Sequence, residues 1–165
     1  MITISGNELQ AWVDVVSQRW KDFIRAHPQV LTLPCDIRET QTVAQLLQHI
    51  VAVELRYAQR LAGVEETPYD SIPFDSAESI YHTHDQAMSV LSVVADRDDS
   101  FWDEWIQFAT RSAGTMELPR HTVFVHLFMH SVRHYAQLAT LVRQHGYPVD
   151  FAMDYIIMRP KNRPA

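Results

Sequence analysis

Residues 123–137 read VFVHLFMHSVRHYAQ, and the chain continues LATLVRQHG to Gly146 with no proline between 120 and 147. A window this long without a breaker predicts a helix, with Pro119 suited to its first turn and Gly146 to its stop. Within it His126, His130 and His134 recur at every fourth position, so each shares a face with the next. His130 and His134 run on into Leu138 and Leu141 at the same spacing, which turns that pair toward the apolar side. One helix cannot bring all three histidines to one ion. Positions 126 and 134 are separated by roughly 12 Å of helical rise, whereas a transition metal takes each imidazole nitrogen at about 2.0–2.1 Å. A metal site therefore uses one adjacent pair and draws its third nitrogen from elsewhere.

The donor is His49, which lies three residues after Leu46 and four before Val53, on the apolar face of a second helix. Three neutral imidazoles leave an ion with open positions, as in a catalytic site rather than a closed structural one. Imidazole suits zinc, nickel, iron and copper alike. Other bundle metal sites do not fit the spacing. No Glu-x-x-His occurs for a di-iron centre, and four residues after His49 stands Val53 where a carboxylate would be needed. Glu54 follows one residue later, about 140° around the helix from His49.

The four glycines (Gly6, Gly63, Gly114, Gly146) and the proline-free windows 35–67 and 74–118 divide the remainder. A first helix is predicted from about Asn7 to Ala26 on the stripe Trp12, Val16, Trp20 and Phe23, and a second from about Thr40 to Leu61. A third runs from Asp75, with Glu78 completing a capping box, to about Ala95. Four long helices make an all-α four-helix bundle. Residues 99–118 alternate weakly and fit either a short β-hairpin between the third and fourth helices or an irregular segment. Residues 151–158 read as a short packed helix or an extended cap. The bundle domain is taken as 1–158, and 159–165 as a mobile tail.

The formal charge of −6 leaves no basic stripe for a phosphate backbone, so no nucleic-acid partner is expected. No apolar run reaches the ~18 residues of a membrane span and the N-terminus lacks the regions of a signal peptide, so the expected location is cytoplasmic. The single Cys35 sits in a proline-bounded loop without a motif and reads as inert. Four scattered glycines build no phosphate loop, dinucleotide fingerprint or serine elbow. Among the other histidines, His84 aligns with Ile80 and Ala87 and is either a core histidine or a rival ligand. His126 reads as a pocket-lining group, and Trp12 and Tyr57 as candidate pocket walls.

The segments 123–137 and 141–146, with TVAQLLQH at 42–49, resemble the DinB-like family of metal-binding four-helix bundles. Its superfamily also holds bacillithiol S-transferases and mycothiol-dependent maleylpyruvate isomerase. The resemblance implies an up-down-down-up bundle with a long crossover, often dimeric, and a metal triad on His49, His130 and His134. It departs directly after the third histidine, where the family usually has arginine-glycine-glutamine and this chain has Tyr135, Ala136 and Gln137. The function expected is a metal-dependent enzyme of thiol S-transferase or hydrolase type, acting on a small-molecule substrate as a homodimer. Zinc or nickel is expected first, then iron or copper, with a low-molecular-weight thiol as cosubstrate and Gln137 near substrate or ligands. The alternative is a non-catalytic dimeric bundle that holds a metal or small ligand.

Overall fold

The computed structural model describes residues 4–110 and 113–158; the expected tail, 159–165, lies outside them. Helix α1, Gly6–Ala26, starts on a capping box in which Ser5 and Glu8 satisfy each other's backbone N–H groups, and it stops before Pro28. Helix α2, Val43–Ala62, is capped by Thr42 and ended by Gly63, whose φ of 69° is the left-handed conformation a helix stop favours. Helix α3 spans Ala77–Ser92. A short α4, Asp99–Asp103, leads into strands β1, Trp105–Thr110, and β2, Gly114–Pro119. Helix α5, Arg120–Gln144, carries the histidine segment, and α6 is the single turn Tyr155–Met158. No described helix is long and apolar enough to cross a membrane.

Three predicted boundaries shift. The second helix begins at Val43 rather than near Thr40, because Thr42 accepts the Gln45 N–H as its cap while pairing with Pro34. The third is capped by Ser76, with Ser79 in the answering position, rather than by Asp75 and Glu78. Asp75 instead accepts from the Ser79 hydroxyl at 2.8 Å, and Glu78 reaches out to Arg25 at 2.6 Å. That same helix ends at Ser92 and gives way to a turn before Ala95.

The helix directions follow from which residues meet. Gly6 lies beside Phe124, and Ser17 and Trp20 beside Tyr135, so α1 and α5 run parallel. Lys21 pairs with Asp85 and Arg25 with Glu78, so α3 opposes α1. His49 meets His134, whereas Tyr57 meets His126, so α2 opposes α5. The order is up-down-down-up, with α2 and α3 parallel.

Parallel neighbours require the chain to return the whole length of α2 before α3 begins. A helix of 20 residues rises about 30 Å, and the connection 63–76 can span about 45 Å when extended. It is strapped to α2 on the way: Gln59 and Thr67 exchange two hydrogen bonds of 2.8 Å, and Gln48 donates to the Ile72 carbonyl at 2.6 Å.

The uncertain region 99–118 forms an antiparallel hairpin after α4, registered Trp105 to Pro119 and Thr110 to Gly114. Phe108 turns inward with Ile106, Met116 and Leu118, while Trp105 stays exposed. The C-terminal segment is both a cap and a helix. Residues 150–154 lie outside regular structure and pack on α1, held by Arg19 to the Ala152 carbonyl at 2.7 Å and Trp12 to the Met153 carbonyl at 2.8 Å, before the turn of α6.

Candidate metal centre

Helix α2 supplies His49 and helix α5 supplies His130 and His134, and the antiparallel packing of the two brings the three imidazoles together. The Nε2 atoms of His49 and His130 face each other at 3.0 Å, and the ring centroids of His130 and His134 stand 4.4 Å apart. One nitrogen from each ring lies within 4.8 Å of the others, so the group could hold a metal ion. Two nitrogens bound tetrahedrally to one ion stand about 3.4 Å apart, close to the spacing of the first pair.

The protonation states suit such a role. Burial drives the His130 imidazole down to about 2, with His49, His134 and Arg133 adding to the effect. Burial also lowers His134 to about 4, helped by Arg133 and opposed by its bond to Gln137. Both rings are therefore neutral at physiological pH. The Gln137 Oε1 accepts from Nδ1 of His134 at 2.8 Å, which leaves Nε2 as the nitrogen with a lone pair. The Arg133 Nη2, a donor, lies 3.1 Å from that same Nε2 and is consistent with this tautomer. Nδ1 of His130 is buried with no hydrogen-bond partner among the described residues. Three imidazole nitrogens, two of them held neutral, match what zinc-type ions accept.

The cluster opens into a cavity of about 530 Å³. Tyr57 lines it as expected, and so does His126, whose ring is 5.6 Å from that of Tyr57. Trp12 does not. Its indole is taken by the C-terminal segment and the Tyr155 ring, on the other side of α1. His84 is no rival ligand: its Nδ1 lies 2.7 Å from the Glu54 carboxylate and its Nε2 3.4 Å from Asp14, within the bundle. Cys35 is buried and accepts a hydrogen bond from Thr40 at 3.2 Å. Tyr135, where the resemblance breaks, is buried and stacks on Trp20, and it is not among the described residues that line the cavity.

Sequence reasoning missed the arginines. Arg38, Arg56, Arg60 and Arg133 all line the cavity. Arg60 lies against the rings of Tyr57 and Phe108, at 4.6 and 4.8 Å, and donates to the Ala109 carbonyl, so it ties the hairpin to the site. Their signal was present: Arg56 and Arg60 follow His49 by seven and eleven residues, on the same helix face.

A sequence model of the DinB family matches residues 3–159. The chain belongs to the DinB family. None of the curated proteins compared with it matches. The helical bundle and the three histidines that line a cavity between α2 and α5 agree with that membership.

Proposed function

We propose that this DinB-family protein is a metal-dependent enzyme acting on a small molecule, of thiol S-transferase or hydrolase type, with its ion held by His49, His130 and His134. The observation that carries the reading is the convergence of three imidazoles, two of them held neutral, at an open cavity. A divalent ion there, zinc or nickel before iron or copper, would act as a Lewis acid toward a coordinated thiol or water.

The chain's own residues prepare that chemistry. Gln137 fixes the His134 tautomer, and the buried positions of His130 and His134 keep protons from competing for their lone pairs. Glu66 holds Arg56 and Arg60 in place, at 2.7 and 2.6 Å, so one wall of the cavity is rigid before substrate arrives. A low-molecular-weight thiol is the proposed cosubstrate, and the proposed location is cytoplasmic. The proposed homodimer would cover the half-exposed Ile4, Val125 and Met129. Light scattering should give twice the 19.1 kDa chain mass.

Elemental analysis of protein purified without a histidine tag, followed by a thiol-conjugation screen, tests the enzyme reading. Stoichiometric metal with no conjugating or hydrolytic activity across the screen would favour the alternative, a non-catalytic metal-binding bundle. His130→Ala should abolish metal binding while circular dichroism shows helical content near wild type, since the core lies largely away from the site. Metal affinity left unchanged by that substitution would show that the wrong histidines have been assigned.

A further inference from the structure

The charge around the histidine cavity is the reverse of the charge of the chain. The protein is acidic, with a formal charge of −6. Yet four arginines line this cavity, and no aspartate or glutamate is among its described lining residues. The carboxylate beside it, Glu66, is shared. Arg56 gives Glu66 two hydrogen bonds, at 3.1 and 2.7 Å, and Arg60 gives it two more, at 2.6 and 2.8 Å, so one negative charge faces two guanidinium groups. Arg38 and Arg133 have no carboxylate partner among the described residues. Glu39 and Asp70 line an adjoining groove, which Arg38 and His49 also border.

Two further observations mark Arg38 and Arg133. Arg38 and Glu39 hold consecutive left-handed conformations, with φ of 59° and 61°. Neither is glycine, so each carries backbone strain of the kind that concentrates at ligand sites. Arg133, for its part, donates toward Nε2 of His134, the lone pair that a shared ion would need. A guanidinium cannot stay on a lone pair that a cation takes. Once displaced it turns toward a cavity already rich in positive charge, where an anion is its natural partner.

We propose that the substrate of this cavity carries an acidic group, a carboxylate or phosphate, gripped by Arg38 and Arg133 beside the three histidines. The inference rests on the reading of that cavity as the functional site. Metal and anion binding are then coupled in the same direction, because an ion both adds positive charge and frees Arg133, and the coupling is reciprocal.

Calorimetric titration at constant ionic strength tests it, using succinate and inorganic phosphate as probes and glycerol as the uncharged control. Protein with and without one equivalent of zinc should bind at least one of the two anions, more tightly with zinc, and not glycerol, and the tighter one assigns the acid type. The double variant Arg38→Gln, Arg133→Gln, verified as folded by circular dichroism, should bind that anion at least about tenfold more weakly, as expected from the loss of charge-assisted hydrogen bonds. Metal titration of the same variant should still show one site per chain. Failure of both anions to bind the wild type, or equal binding by the double variant, overturns the inference. Absence of metal binding by wild-type protein that still binds the anion would instead overturn the metal reading alone.

Discussion

Two histidine clusters share helix α2 and have opposite chemistry. On one side His49, His130 and His134 meet among arginines, with no carboxylate among the described residues that line their cavity, and burial holds the two α5 imidazoles well below their ordinary value. On the other, burial would likewise lower His84, but the carboxylates of Glu54 and Asp14 outweigh it and raise His84 to about 10. Both sites are buried. What separates them is the sign of their neighbours: His84 is a fixed cation that completes an ion pair within the fold, whereas the triad gathers imidazoles that arginines face and no carboxylate among the described lining residues does. Ser131 marks the boundary, since it directly follows the proposed ligand His130 and donates to Glu54 at 2.6 Å.

The largest effect is expected on the His84 side. Glu54 is fully buried, and Glu54→Gln leaves the His84 cation facing a neutral amide. Removing one partner of a buried pair costs about 3–5 kcal/mol, so urea unfolding should show a loss of that order. A change below about 1 kcal/mol, the range of exposed pairs, would break the contrast between the two clusters.

The clusters also predict opposite pH dependence for the metal-free protein. His84 has its folded value raised, so its contribution is complete below the unfolded value of about 6.5 and is lost as pH rises toward about 10. His134 and His130 have theirs lowered. Their unfolded forms take up protons that the folded forms refuse, so stability falls as pH drops from about 6.5 toward about 4 for His134 and about 2 for His130. Melting temperature measured against pH should therefore decline on both sides of neutrality. His84→Gln should flatten the alkaline limb, and His130→Ala the acid limb. Identical profiles for the two variants would deny the division.

The sequence made the triad legible because both features it depends on are periodic. The four-residue spacing on α5 and the place of His49 within an apolar stripe each fix a face, and the antiparallel packing of the helices does the rest. Three of the four long helices were equally legible from their breakers, because Pro28, Gly63 and Gly146 each stand at a real stop, whereas α3 ends at Ser92 with no breaker to mark it. The cap of α3 was misplaced by one residue, since Asp75 and Ser76 are both good caps and tertiary packing of Ile80, Tyr81 and His84 chooses between them. Glu54 was read only as lying away from His49. That it meets His84 depends on α2 and α3 running parallel, a long-range fact with no local signature. Arg38 reaches the cavity through a strained turn that no propensity predicts.

The smallest effect tests how the triad is oriented. Gln137 accepts the Nδ1 proton of His134, so that Nε2 is the nitrogen left with a lone pair to offer an ion. Gln137→Leu removes that acceptor at an exposed position, so the fold should be unaffected. The His134 ring would then be free to rotate or to move its proton to Nε2, and either change takes a donor from the site. Loss of such a supporting partner typically weakens metal binding about 10–100-fold. Competition with a chromophoric chelator should register that weakening, and Gln137→Glu should restore or exceed wild-type affinity by accepting the same hydrogen bond with a charge. If Gln137→Leu binds metal as tightly as the wild type, the lone pairs are set by packing alone, and the contrast with His84 lies in neighbouring charge and not in hydrogen bonding.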